Sequence, residues 1–306
     1  MKIAVLYGGT SAEREVSLSS GKGIMNALKA KGHEVIGIDF HPRQTAELLS
    51  LDVDLVFIGL HGRLGEDGSI QALLDVAGIP YVGSGVLASA LAMDKAKSKK
   101  LFASAGIRVA GDLTLHKAEF EQSDFNMPFE FPVVVKPNRE GSTIGLTIAH
   151  TQAELESGIE LAFQHDEEIM IEEFINGKEV TIAVMGERGK EKAFPVIEIV
   201  PKNKYYDYES KYAAGGSEHI IPARVEDDVT HLLMKNAVLA HQSLGCDVYS
   251  RADFIVPEDG GEPVILEVNT LPGMTPTSLF PDAANHVGIS YENMIQGLLD
   301  LSMKKQ

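Results

Sequence analysis

The chain reads as an α/β protein built from three stretches of different character, and three observations predict this. Short β-branched or apolar runs alternate with helix-period segments over roughly the first 90 residues. That alternation stops near residue 93, where a basic helix and short strands around a glycine-serine loop begin. The last part holds longer strands, a polar tyrosine-rich loop and a hairpin. Strands that alternate with helices pair in parallel, so residues 1–92 predict a small doubly wound sheet, while 93–178 and 179–306 predict two α+β units.

In chain order, Ile3–Tyr7 is the first strand, and Val16, Ser20, Ile24, Ala27 and Leu28 then fall on one helix face with Gly32 at the expected C-cap. Glu34–Asp39 and Leu55–Leu60 are further strands, Gly68–Ala77 a helix and Pro80–Val82 a last short strand. Lys95–Ala105 is the basic helix. Phe131–Lys136 and Ile144–Ala149 are strands around "PNREGST", followed by a helix at Glu154–Gln164 and strands at Met170–Phe174 and Glu179–Met185. Asn203–Gly216 is the tyrosine-rich loop and Asp227–Leu244 a helix. "YSRADFIV" turns at "PEDGG" into "PVILEVN" to make the hairpin.

At 306 residues, 44% apolar and 23% charged, the composition is that of a soluble globular protein of about two ordinary domains. The formal charge of −17 repels polyanions and anionic membranes, so nucleic acid is not an expected partner. No apolar stretch is long enough to span a bilayer, and the opening apolar run reads as a strand, not a leader. Cys246 is the single cysteine, which leaves no disulfide within the chain and no thiolate cluster. A cytoplasmic enzyme is the starting expectation.

Three glycine-rich places compete for a nucleotide. "GGTSAEREVSLSSGKG" opens after the first strand, but a Walker loop would need glycine at 16 and Ser or Thr at 23, where Val16 and Gly23 stand. "GSGVLA" at Gly83–Ala88 matches a dinucleotide fingerprint only formally, because it follows the last strand of its unit; a tight turn is expected there. "KPNREGSTIG" is different. It joins two strands, its backbone N–H groups can close over phosphates as a flap, and Lys136 ends an apolar strand that would otherwise continue apolar. A hairpin turning near Gly260 would set Asp253 opposite Glu267, with Asn269 on the same face and Arg251 two residues before Asp253. Two carboxylates and an amide oxygen make a hard-oxygen site suited to Mg²⁺ bridging nucleotide phosphates.

The Lys95 helix, the Lys136 strand with its flap, "IEEFI" before Glu179, and the Asp253, Glu267, Asn269 set resemble the ATP-grasp ligases. More narrowly, "GGTSAEREVS", "LHGRLGEDG", "MDK", "VKPNREGSTIG", "YDYESKY" and "LEVNTLPGMTPTSL" resemble the D-alanine:D-alanine ligase family, in order from residue 8 to 279. The resemblance implies a three-domain ATP-grasp architecture divided at 1–92, 93–178 and 179–306. It implies ATP with Lys95 and Lys136 on its phosphates, Glu172, Glu173 and Ile175 beside the adenine and Glu179 at the ribose, although Glu172 and Glu173 equally suit a strand-end surface. Two Mg²⁺, or Mn²⁺ in their place, would sit on Asp253, Glu267 and Asn269. One D-alanine would be activated as an acyl phosphate and a second would attack it, the oxyanion meeting Arg251 and the Gly273 N–H. Ser278 and Leu279 would hold the second carboxylate, in a segment that also suits a helix N-cap. Glu13 would meet the first ammonium, with Ser17 one helix turn on and Ser142, Tyr212 and His61 beside the same substrate. Lys211 would add charge at the phosphates, and the 140–145 and 203–216 loops would close. A homodimer is implied by the same resemblance.

The wording departs from the family at Ser250 and Ala252, which flank Arg251, and at Asn138, which is expected outside the contacts. Two other classes compete: a dinucleotide-dependent oxidoreductase using Gly83–Ala88, and a binding module without chemistry. The latter has no need of Arg251, Asp253, Glu267 and Asn269 together with two closing loops. Within the family, ligases that add D-lactate or D-serine are the rivals, and Tyr212 on its long loop favours D-alanine as second substrate.

Overall fold

A computed structural model describes residues 1–120, 127–201 and 216–305. Its first layer begins with β1 (Lys2–Gly8), whose residues 3–6 are fully buried, followed by α1 (Arg14–Ala30) and β2 (Glu34–Phe40). After α2 (Thr45–Leu49) come β3 (Leu55–Ile58) and α3 (Ser69–Ala77). The sheet order is β2-β1-β3, all parallel, as the alternation predicts. The strand expected at Pro80–Val82 shrinks to one bridge, Tyr81 beside Val56. Pro80 has no N–H to donate and Gly83 turns the chain at φ +101°, so pairing cannot extend.

The turn expected at Gly83–Ala88 is confined to its first residues, where Gly83 has φ +101°, and a helix, α4 (Val86–Met93), follows with Gly85 at its N-cap. A Cβ on Gly83 would lie 3.1 Å from the Tyr249 ring, so this glycine serves close packing and not a cofactor. Next, α5 (Lys95–Ser104) is capped by Asp94, whose side chain accepts from the Lys97 N–H.

The second sheet contains β4 (Asp112–His116), β5 (Val133–Pro137), β6 (Thr147–Ala149) and β7 (Glu168–Glu173), with α6 (Lys117–Phe120) and α7 (Gln152–Ala162) between strands. Its order is β4-β7-β5-β6, antiparallel throughout, with Leu155, Ile159 and Ala162 of α7 in its core. The strand expected from Ile144 begins three residues later. Ser142, Thr143 and Gly145 all have left-handed φ, at 51°, 66° and 71°, which a strand cannot accommodate.

The third sheet is built on β8 (Gly177–Gly186), β9 (Lys192–Ala193), β10 (Ile197–Pro201), β11 (Ser217–Ile220), then α8 (Asp227–Ser243), β12 (Val248–Pro257) and β13 (Val264–Asn269). Strand order is β11-β10-β8-β12-β13, with β9 on β8. Phe102 of α5 and Ile107 share this sheet's core with Ile182, Phe254 and Ile265, so the Lys95 helix packs on the third sheet. The chain ends in α9 (Leu279–His286) and α10 (Tyr291–Lys304). Phe280, Ala283, Met294, Ile295 and Leu298 of these helices lie in one apolar cluster with β1, β3 and α1.

His241 in α8 is almost wholly buried, its Nδ1 2.7 Å from Ser250 Oγ and its Nε2 without a partner among the described residues. Burial pulls the imidazole down to about 4, beside Glu191, Asp247 and Arg188. A histidine depressed in this way is neutral in the folded protein and protonated on unfolding. Its contribution is therefore present above the unfolded value near 6.5 and lost as pH falls toward 4, about 3 kcal/mol in all. Urea unfolding of the native protein and of His241→Leu between pH 7 and pH 4 checks this; the variant should show the shallower decline, and parallel curves would refute it.

Candidate active site

Two cavities, of about 550 and 440 Å³, lie between the layers. They share Gly141, Ser142 and Glu267 as a common wall. The smaller is lined by Lys95, Lys136, Glu172, Glu173, Ile175 and Glu179, so the residues expected around a nucleotide do converge. Lys95 Nζ donates to the Glu140 carbonyl at 2.7 Å and lies 3.4 Å from Glu267 Oε2, linking flap to hairpin. Lys136 Nζ is 2.5 Å from Glu172, whose other oxygen is 2.5 Å from Lys99 Nζ. Burial alone would raise the Glu172 carboxyl, but the two lysines outweigh it and hold the group below its ordinary range. Glu172 is thus a buried ion-pair centre and not a strand-end surface charge. Glu173 is exposed and accepts from the Gly111 N–H at 2.9 Å.

Asn138, expected outside the contacts, is fully buried and central. Its Oδ1 accepts from Ala96 N at 2.8 Å, and its Nδ2 donates to Asp94 and Glu168 at 2.9 Å each. These bonds tie the start of α5, and so Lys95, to the second sheet. Asn138 lines neither cavity, in keeping with its expected place outside the ligand contacts, but its structural role was not foreseen; Lys99 escaped the sequence reading, a lysine recurring one turn after Lys95 being its only signal.

The hairpin register places Arg251 opposite Asn269 and Asp253 opposite Glu267, with a shift after Asp253 that ends the regular ladder. Asp253 accepts from Arg251 Nε and Nη2 at 2.9 and 2.8 Å, from Thr181 Oγ1 at 2.5 Å and from Asn269 Nδ2 at 3.1 Å. Among the described residues no group of three His, Cys, Asp or Glu forms a metal cage. Two carboxylates and an amide on one strand pair nevertheless fit Mg²⁺, which takes few protein oxygens and completes its shell with phosphate and water.

The larger cavity is lined by Glu13, His61, Ser142, Arg251, Gly273, Ser278 and Leu279. Glu13 is buried at the N-cap of α1, and Ser142 Oγ donates to its Oε1. The carboxylate fits between two glycines: a Cβ on Gly62 would come within 2.6 Å of Oε2, and one on Gly141 within 3.5 Å. His61 Nε2 is 3.0 Å from Ser20 Oγ and its Nδ1 3.7 Å from Glu66, a cavity residue that sequence reasoning missed. Burial raises the Glu66 carboxyl, the nearby His61 imidazole opposes this, and the charge of Glu13 adds to the rise.

Ser17 does not reach this cavity. Its hydroxyl accepts from Gly8 N at 2.8 Å and donates to Gly59 O at 2.6 Å, pinning the ends of β1 and β3. The Gly8–Gly9 pair, both at positive φ, turns the chain beside the Arg14–Asp39 ion pair. Ser278 occupies the N-cap position of α9 but does not cap it; its Oγ accepts from Thr275 N at 3.0 Å and meets Thr275 Oγ1 at 2.7 Å. His219, 2.6 Å from Asp282, also lines the cavity and was missed. Lys211 and Tyr212, with most of the 203–216 loop, lie outside the described residues.

Comparison with known proteins agrees with this geometry. The family model for the D-ala D-ala ligase C-terminus matches residues 101–300, and that for the D-ala D-ala ligase N-terminus matches 2–47 and 41–84. A D-alanine–D-alanine ligase of Halalkalibacterium halodurans is 70% identical over 305 residues, covering 100% of both chains, and one of Citrifermentans bemidjiense is 47% identical, covering 99% of this chain and 97% of the other. The crystal structure of the Bacillus anthracis D-alanine–D-alanine ligase complexed with ATP superimposes with a TM-score of 0.85 at 32% identity, covering 100% and 98%. The VanG D-Ala:D-Ser ligase of Enterococcus faecalis gives 0.84 at 33%, covering 98% and 99%. The fold is that of the ATP-grasp ligases, and the chain belongs to the D-alanine–D-alanine ligase family.

Proposed function

We propose that this protein joins two D-alanine molecules into D-alanyl-D-alanine through a D-alanyl phosphate, converting ATP to ADP and phosphate, as a supplier of peptidoglycan precursor. The observation that carries the reading is the common wall. A cavity with two buried lysines meets a cavity with a buried glutamate and an arginine at Ser142 and Glu267. A phosphoryl group can pass across that wall to an amino acid held by its ammonium at Glu13.

Lys95 and Lys136 hold the phosphates, and Asp253, Glu267 and Asn269 would hold Mg²⁺, which offsets the charge between phosphate and attacking carboxylate. The first D-alanine carboxylate oxygen bonds to the γ-phosphorus as the bond to ADP breaks. The second amine then attacks the acyl carbon, phosphate leaves, and the amine loses a proton. Arg251 and the Gly273 N–H stabilise the oxyanion between those events. Ser278 and the α9 N-terminus, which no side chain caps, receive the second carboxylate. The flap supports closure over the acyl phosphate: Ser142 already reaches Glu13 across the site. Tyr212 and Lys211 complete the reading from the other loop. Among the described residues no helix is long and apolar enough to cross a membrane. A cytoplasmic location follows from the substrates, and a homodimer of three-domain subunits, divided at residues 92 and 178, from the family resemblance.

D-Alanine is favoured over D-serine as second substrate by the 70% and 47% identities to ligases named for D-alanine, against 33% to the D-Ala:D-Ser enzyme. With ATP, Mg²⁺ and D-alanine the protein should release phosphate and form the dipeptide in equal amounts, and adding D-lactate or D-serine should yield little mixed product. Absence of D-alanyl-D-alanine would overturn the reading.

A further inference from the structure

Gly273 has no Cβ, so its two backbone dihedrals are weakly restrained, and the direction of its N–H depends on what holds the peptides around it. A Cβ on Gly273 would lie 2.9 Å from Ser278 Oγ, so glycine lets this segment pass close to that hydroxyl. The next residue, Met274, is held through both of its peptides: its N–H lies in the peptide shared with Gly273 and its carbonyl in the one that follows. Met274 N donates to Ser20 Oγ at 3.2 Å, and the Met274 carbonyl accepts from Tyr291 Oη at 2.7 Å. Ser20 is fully buried on α1 and Tyr291 opens α10, so elements 254 and 17 residues away in sequence converge on this residue. Gly23, one turn after Ser20, makes room for the phenol: a Cβ there would lie 2.8 Å from Tyr291 Oη. Burial pushes the Tyr291 hydroxyl above its ordinary range, so it stays an O–H donor. Ser20 Oγ also lies 3.0 Å from His61 Nε2 and thereby touches the wall of the amino-acid cavity.

We propose that Ser20 and Tyr291 are positioning residues for the amide-forming step: Ser20 holds the Gly273–Met274 peptide and Tyr291 the Met274–Thr275 peptide, and together they fix the backbone next to Gly273 and so the direction of the N–H that meets the oxyanion. This rests on the ligase reading above. Phosphoryl transfer to the first D-alanine takes place on the Lys95, Lys136 and Glu267 side and does not use this backbone segment. Loosening it should therefore slow the second step and leave the first intact.

The test uses Ser20→Ala, Ser20→Thr and Tyr291→Phe in the full-length protein. Three quantities are read: dipeptide formation, phosphate released per dipeptide, and oxygen-isotope scrambling in ATP with D-alanine, which reports reversible acyl phosphate formation alone. In Ser20→Ala and Tyr291→Phe the dipeptide rate should fall about 10-fold or more, in line with the cost of small misplacements at a reacting centre. Scrambling and the KM for ATP should stay at native values, and phosphate per dipeptide should rise above one as water captures the waiting intermediate. Ser20→Thr keeps the hydroxyl and should restore coupling. Tyr291→Phe spares His61, so an effect common to both sites reports the backbone at Met274. Scrambling and dipeptide falling together, or unchanged coupling in both variants, would overturn the proposal. A native protein that makes no dipeptide would instead overturn the ligase reading beneath it.

Discussion

Replacing Glu267 by glutamine is expected to lower kcat about 10²–10³-fold, the loss that follows removal of one preorganised electrostatic group from a reacting centre. The substitution keeps the shape and one acceptor oxygen, removes the charge and turns the other oxygen into an NH2 donor. That charge has two uses: it pairs with Lys95 at 3.4 Å, and it stands opposite Asp253 in the oxygen set that would take Mg²⁺. Glu267 is partly exposed, so its pairing contributes little to folding and thermal unfolding should be nearly unchanged. The Mg²⁺ concentration for half-maximal rate should rise as well. Turnover close to native, or a Mg²⁺ dependence that does not move, would exclude Glu267 as a metal ligand.

Glu13→Gln should raise the KM for the first D-alanine about 10- to 100-fold, the equivalent of one hydrogen bond to a charged group, with ATP affinity unchanged. The amide can still accept from Ser142, so the flap contact survives and the experiment isolates the ammonium's counter-charge. Initial rates over a wide range of D-alanine, with ATP affinity measured separately, would show the split. Equal weakening of both ligands would mean that Glu13 acts through cavity shape.

Much of this site was legible because β-hairpin geometry is local. A turn near Gly260 and the two-residue alternation of strands placed Asp253 against Glu267 and Asn269 on their face, and the register agrees. The first sheet was legible for a similar reason, since its alternating periods leave few topologies open. What escaped depends on contacts between distant segments. Asn138 reads as a loop residue until Asp94, Ala96 and Glu168 surround it. Ser17 shares a helix face with Glu13, but spacing does not say whether a hydroxyl turns to a cavity or to two nearby strand ends. The α4 segment "VLASALAM" carries no amphipathic period, and its leading glycines suggested a turn. Ser250, an unusual neighbour of Arg251, gained meaning only when α8 brought His241 to it.

The apolar cluster that joins β1 and β3 to the last two helices has a consequence for how the chain is made. Residues 3–82 leave a ribosome well before Phe280, Met294, Ile295 and Leu298, which cover part of their core. Until then the nascent first sheet carries an open apolar flank, which a chaperone or a neighbouring nascent chain can engage. The first sheet is therefore sealed by a segment made about 200 residues later, and removing residues 279–305 would expose its apolar flank.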